Sequence, residues 1–347
     1  MSQSAPRQPP LSPDDMLPPV EPPSGGFIVQ LFFVPLIIVL VIVAVYLMFT
    51  WLAHMGRDPD EYVKRIGDND AGSMQAAMDL ATDLRGQPEL QSDAGLARQL
   101  AALLERELAE GGLETEDLAL RVFLCKALGE FRVPEGWPAL VAAAEQNRDD
   151  KELVVRTAAV QAIALLVDHC RVAAPPESAS ASAREPTASL AASVLPALLA
   201  AADDDSDLLR SSAAYALGVV GGEAALDKLA VMQDSAYPDV RYNAATGLAR
   251  QGDERAVRIL AEMLDPAELR VDTEQAARQE GKRAVIVINA LEATRQLSQA
   301  NAEADLDELR QAVEALVAAD LSPPVRVKAE ETARALAERA APAAAQN

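Results

Sequence analysis

Two neighbouring stretches of this chain are copies of one pattern at a fixed offset. DDDSDLLRSSAAYALGVVGGEAALDKLAVMQ begins at Asp203, and DSAYPDVRYNAATGLARQGDERAVRILAEML begins at Asp234. A shift of 31 residues lays Leu209-Arg210 on Val240-Arg241, Ala213-Ala214 on Ala244-Ala245, Leu217 on Leu248, Gly221 on Gly252 and Leu229 on Leu260. A fixed period of this size marks a repeat architecture, in which each unit buries its apolar face only by stacking on the next. Less regular copies precede these two. Arg121 stands 89 residues before Arg210, a shift that also lays Leu128-Gly129 on Leu217-Gly218, and Arg156 stands 54 residues before it, which lays Ala159 on Ala213.

The units read as helices. Apolar residues recur at three- and four-residue spacing in 73–84, 95–110, 118–131, 137–146, 152–170 and 189–202, and no long stretch alternates polar with apolar. Alanine and leucine dominate while aromatic residues make up only 4% of the chain, a composition that favours helix and close helix approach. The expected fold is all-α, an α-solenoid of stacked antiparallel helix pairs over residues 73–340. The alanines Ala213, Ala214, Ala216, Ala244 and Ala245 form small faces for close approach, and Leu217, Leu229, Leu248 and Leu260 fill the layer between units.

Around this array the chain changes character. Residues 1–26 hold Pro6, Pro9, Pro10, Pro13, Pro18, Pro19, Pro22 and Pro23 with little apolar content, which predicts an extended, disordered tail. Residues 27–52 carry no charge over 26 positions, and as a helix would span roughly 39 Å, more than the ~30 Å of a hydrocarbon core. The expectation is a transmembrane helix over 27–53 with a juxtamembrane segment at 54–72. A cleaved signal peptide fits poorly, because the run is long, the segment before it is acidic and no small-residue cleavage site follows. Arg57, Lys64 and Arg65 after the run outnumber Arg7 before it, which places the large C-terminal part on the cytoplasmic side of an inner membrane. Residues 171–188, rich in Ser, Ala and Pro, read as a flexible loop, 270–283 as an insertion, and 341–347 as a frayed end.

A second regularity runs through the array. Glu114, Asp149, Asp203 and Asp234 each stand seven residues before Arg121, Arg156, Arg210 and Arg241. A turn acid accepts backbone N–H groups at the start of the following helix, and the arginine one turn inside reaches an acid of its own or the neighbouring unit. Four repetitions make this a structural ladder between units.

The leucine-rich helix with an early proline, Pro196, the acid at Asp203 or Asp234, and the following Leu209-Arg210-x-x-Ala213-Ala214 and Val240-Arg241-x-x-Ala244-Ala245 resemble HEAT repeats. The short period is similar to the subclass found in phycobilin lyases. With the apolar run ahead of it, the chain resembles bacterial membrane proteins with HEAT-repeat domains. The resemblance implies an armadillo-like superhelix and a protein-binding surface.

The residues point away from catalysis. Walker, dinucleotide and nucleophile-elbow patterns are absent, and the glycines of residues 218–222 have no lysine after them. His54 and His169 are the only histidines, too few for the histidine–glutamate pairs of HEAT-type di-iron hydroxylases. The net charge of -22 opposes nucleic acid and with it the basic groove of HEAT-type glycosylases. Cys125 and Cys170 form no disulfide pattern, His169-Cys170 reads as a helix end, and Asp203-Asp204-Asp205 as a solvated turn. No catalytic, cofactor-binding or metal residue is expected. The expectation is therefore a non-enzymatic scaffold that binds a protein partner, one with a basic patch favoured by charge. The alternative is a lyase-like or chaperone-like accessory that handles a prosthetic group on a partner, for which Cys125 or Cys170 would supply a thiol.

Overall fold

The computed structural model describes residues 25–54, 59–67, 72–173, 181–265, 276–319 and 322–344. The disordered tail expected at 1–26 falls almost wholly outside them. The chain divides into two units, Met1–Asp58 and Pro59–Asn347.

In the first unit α1 spans Gly25–His54, with Pro35 inside it. Its stretch Val29–Thr50 has a mean hydropathy of 3.1 and buries none of its surface within the protein. It is long and apolar enough to cross a membrane. Length and hydropathy also single out Asp150–Ala173, with a mean hydropathy of 1.5, but 61% of that stretch is buried. It is a core helix of the second unit.

The second unit is an α-solenoid, with no strand among the described residues. Its helices are α2 (Pro59–Gly67), α3 (Ser73–Gly86), the single turn α4 (Pro88–Gln91), α5 (Ala94–Glu110), α6 (Thr115–Gly129), α7 (Trp137–Glu145), α8 (Leu153–Ala173) and α9 (Ala181–Ala201). They continue as α10 (Asp207–Val220), α11 (Glu223–Met232), α12 (Pro238–Arg250), α13 (Val257–Met263), α14 (Ala276–Ala300), α15 (Asp307–Val317) and α16 (Pro323–Ala344). Successive helices pair as α2 with α3, α5 with α6, α7 with α8, α9 with α10, α11 with α12, α13 with α14, and α15 with α16. The second members, α3, α6, α8, α10, α12, α14 and α16, pack one on the next as a continuous layer, and the first members form a looser layer beside them.

Small residues set the spacing of the tighter layer. Ala213, Ala214, Ala216, Ala244 and Ala245 are fully buried, as are Leu217, Leu229, Leu248 and Leu260. A close approach lies between units, where α10 crosses α12 at Gly218 and Gly247. A Cβ placed on Gly218 would fall 2.4 Å from the Gly247 Cα, so no larger residue fits. The equivalent turn glycines Gly221 and Gly252 both have positive φ, 72° and 79°, the left-handed conformation that ends a helix without a Cβ penalty.

The juxtamembrane segment expected at 54–72 contains α2, which packs on α3 and α5 with Ile66 fully buried. Three other expected boundaries differ. The loop expected at 171–188 shrinks from both sides, since α8 runs to Ala173 and α9 starts at Ala181. Alanine-rich sequence there favours helix despite its serines. Likewise α14 begins at Ala276, within the insertion expected at 270–283, and α16 continues to Ala344.

Candidate interaction surface

The residues singled out for chemistry are placed as structure. Cys125 is fully buried and Cys170 nearly so. Burial pushes the Cys125 thiol up to about 12, against the pull of Arg121. Burial, reinforced by Glu135, pushes Cys170 up to about 11. Both thiols are thereby held away from the ionised, nucleophilic form. His169 sits at the end of α8 with its Nδ1 3.0 Å from the Gly129 carbonyl, and the side chain of His54 lies outside the described residues. The acids at 203–205 part company: Asp203 pairs with Lys228, while Asp204 accepts the Ser206 N–H at 2.9 Å and Arg156 at 2.6 Å. No group of three potential metal ligands occurs among the described residues.

The acid-to-arginine ladder exists, with different partners from those expected. Asp149 does accept the Lys151 N–H at 2.9 Å, but Glu114 makes no cap. At the next turns Asp204 and Ser235 accept the backbone N–H groups, and Asp203 and Asp234 turn to Lys228 and Arg258 instead. The arginines staple the carbonyls of their own turns. Arg210 donates to Asp204 O at 2.6 Å and Asp205 O at 2.8 Å, and Arg241 to Ser235 O at 3.0 Å. A turn leaves its carbonyls without helix partners, so a guanidinium one turn inside meets them first. Its remaining nitrogen reaches the neighbouring unit: Arg121 to Glu152 at 2.9 Å, Arg156 to Asp204 at 2.6 Å, Arg241 to Glu262 at 2.6 Å. Arg210 has a ring in place of the acid, lying 5.2 Å from the centroid of Tyr237.

The pair Arg121–Glu152 is the buried member of this set, at 0% and 1% exposure. Burial pushes the Glu152 carboxyl up, but hydrogen bonds from the Arg148 side chain and N–H and from Arg121 outweigh it and hold the group below the usual carboxylate range.

A second ladder, at the far ends of the same helices, escaped the sequence reading. The ends of α8, α12 and α14 each lend a side chain to a carbonyl near the end of a neighbouring helix. Arg171 donates to Val219 O at 2.7 Å, Gln251 to Gly218 O at 2.8 Å, and Asn301 to Gly252 O at 3.0 Å. These residues all lie at helix C-terminal ends but differ in type and in exact offset, which is why no pattern announced them.

What the ladders leave uncovered is the outer face of the second-helix layer. Gln161 on α8 bonds Ser212 on α10 at 3.2 Å, Asn243 on α12 bonds Ser211 at 2.9 Å, and Arg250 lies 5.3 Å from the ring centroid of Tyr215. Beside these links Val154, Leu165, Leu208 and Tyr215 are exposed, and Tyr242 and Thr246 half-buried. Toward α6 the face opens into a hollow of about 580 Å³ lined by Leu118, Val122, Phe123 and Val154, with Lys126 and Lys151 at its edge. The first-helix layer carries the pairs Asp203–Lys228, Asp227–Arg255 and Asp234–Arg258 at its surface, with Val231 and Val317 exposed singly on α11 and α15.

A layered stack of helix pairs with arginine staples between its units defines a helical-repeat protein. Residues 195–279 match a family model described as HEAT repeats. No curated protein sequence matches the chain. Among solved structures, Escherichia coli YibA is similar at 16% identity and a TM-score of 0.35, covering 80% of this chain and 93% of that one. Human deoxyhypusine hydroxylase, solved with glycerol, is similar at 17% identity and a TM-score of 0.28, covering 74% and 97%.

Proposed function

We propose that this chain is a non-enzymatic HEAT-repeat scaffold, held to the bacterial inner membrane by α1, that binds a protein partner on the outer face of its second-helix layer. The observation that carries the reading is the contrast on that face: Val154, Leu165, Leu208 and Tyr215 stand exposed in a chain whose net charge is -22. Exposed apolar and aromatic residues grouped on one face, with polar residues around them, are the usual composition of a binding surface. HEAT arrays commonly serve this purpose, since stacking produces an extended surface at little cost in sequence. The acidic remainder steers a partner with a basic patch toward the protein and turns nucleic acid away.

Membrane attachment rests on the exposed, uncharged helix Val29–Thr50, and the cytoplasmic side on Arg57, Lys64 and Arg65 following it. Protease added to intact spheroplasts should leave the array uncut; its digestion would reverse the orientation. The scaffold reading itself is tested by a photo-crosslinking residue placed at Leu165 or at Val231 on α11. Crosslinks to one discrete protein at position 165 and none at 231 are expected. Equal products at both positions would refute a binding face on this layer.

A further inference from the structure

The hollow between α6 and α8 lies where the repeat departs from its own pattern. The 89-residue offset that lays Arg121 on Arg210 puts Val122 on Ser211 and Phe123 on Ser212. On α10 those two hydroxyls tie the layer together. Ser211 receives Asn243 of α12 at 2.9 Å, and Ser212 receives Gln161 of α8 at 3.2 Å. On α6 the same places carry large apolar side chains that can make no such bond, and both are only half-buried. Apolar surface of this kind left in water favours a covering group.

The shape of the uncovered surface points to a helix. Thr115, Leu118, Val122 and Lys126 follow one another along α6 at three- and four-residue spacing, with Phe123 beside them and Val154 of α8 lining the hollow from the other side. From Thr115 to Lys126 is about 16 Å of helix, or three turns. An apolar stripe of that length on one helix matches a second helix laid along it, with apolar residues at i, i+3 or i+4 and i+7. An extended segment would turn every second side chain away.

The charge around the hollow has the opposite sign to that of the chain. Lys126 and Lys151 line it, both are exposed, and neither forms an ion pair among the described residues. By contrast Lys228, Lys282 and Lys328 each meet an acid, at Asp203, Asp239 and Glu292. Glu114, the one acid in the described lining, stands at the N-cap of α6, where the helix dipole favours its charge.

We infer that the hollow receives one amphipathic helix of the protein partner, laid along α6 with its apolar residues on Leu118, Val122 and Phe123 and with flanking carboxylates toward Lys126 and Lys151. The inference rests on the scaffold reading and names the part of the partner that docks. The apolar contact supplies the affinity, and the two lysines select the sign of the flanks.

The test uses the full chain in phosphatidylcholine nanodiscs, since detergent would itself enter an apolar hollow, and three labelled peptides of about 18 residues, long enough to hold a helix. The first has leucines at i, i+4 and i+7 flanked by glutamates. The second has lysines in place of the glutamates. The third keeps the composition of the first but alternates its leucines with its glutamates. Fluorescence anisotropy should show saturable binding of the first, with each of the others weaker by about tenfold or more. Phe123→Glu should abolish that binding. Lys126→Glu with Lys151→Glu alters exposed positions and should reverse the preference, making the lysine peptide the tighter. The three peptides are compared on the unmodified protein, so a folding defect in Phe123→Glu leaves the test intact. No saturable binding of the first peptide, equal binding of the glutamate and lysine peptides, or an unaltered preference after charge reversal would overturn the inference. So would an alternating peptide as tight as the helical one. Saturable binding of oleate that the glutamate peptide does not displace would assign the hollow to a lipid chain instead. Crosslinking from position 165 reports on the scaffold reading separately, and would persist if only this inference failed.

Discussion

The two helix layers of the array come from the same repeat and carry opposite surfaces. On the first-helix layer charges stand in water and are matched in pairs, Asp203 with Lys228, Asp227 with Arg255 and Asp234 with Arg258. On the second-helix layer one matched pair, Arg121–Glu152, lies fully inside the stack, and Val154, Leu165, Leu208 and Tyr215 stand exposed on the outer face, although Asp239–Lys282 is an exposed pair there. The difference teaches where each layer spends its chemistry. The first is kept soluble by exposed ion pairs that add little to stability; the second is held by buried staples and a glycine crossing, which frees its outer face for another task.

The sharpest way to break this contrast is at the buried staple. Arg121→Ala strands the Glu152 carboxylate inside the stack with only the half-exposed Arg148 beside it, and should cost ~3–5 kcal/mol. The same substitution at Arg210, whose bonds go to the turn carbonyls of Asp204 and Asp205, should cost only about 1 kcal/mol. Urea unfolding of the two variants side by side checks this, and similar midpoints would show that the two staples are equivalent. Next in size comes Gly218→Val, which forces α10 off α12 at a contact where even a Cβ would lie 2.4 Å from Gly247; ~1–3 kcal/mol is expected from overpacking.

Acid should weaken the second layer through its carboxylates. Glu292 on α14 is held down to about 2, first by hydrogen bonds from Arg295 and then by Lys328 on α16 at 2.9 Å, against the opposing effect of burial. Its folded value lies below the unfolded value of about 4.3. The contribution is therefore complete above about pH 5 and disappears as pH falls through about 4 toward 2. Glu292→Gln should accordingly be less stable than the parent at pH 7 and close to it at pH 2.5; a gap that does not narrow in acid would remove the ion pair as its source. The smallest effect belongs to the first layer. Lys228→Ala, which breaks an exposed pair with Asp203, should shift stability by ~0–1 kcal/mol and lose that shift in high salt.

How much of this was legible in the chain follows from what kind of contact each residue makes. The helices and their stacking were visible because period and apolar spacing are local, and the buried alanines and leucines of residues 203–265 stand where the offset of 31 residues put them. The seven-residue spacing of acid and arginine located the right turns, but not the partners. Whether Asp203 or Asp204 caps a turn depends on one residue of phase, and Arg156 meets Asp204 across 48 positions of chain. The caps from Arg171, Gln251 and Asn301 had no signal, since three different side chains serve one geometric need.

The central claim is that the outer face of the second-helix layer, and not the charged first layer, binds the partner. It is tested most directly by placing a charge on each face in turn and measuring the yield of the crosslinked complex in intact membranes. Leu165→Glu with Tyr215→Glu alters positions open to solvent, the second also giving up its contact with Arg250, so the variant should still unfold cooperatively in urea while the crosslink from a probe at Val154 should be lost. Val231→Glu on α11, at a position 68% exposed, should leave that yield unchanged. A complex that survives the first substitution and fails with the second would contradict the account.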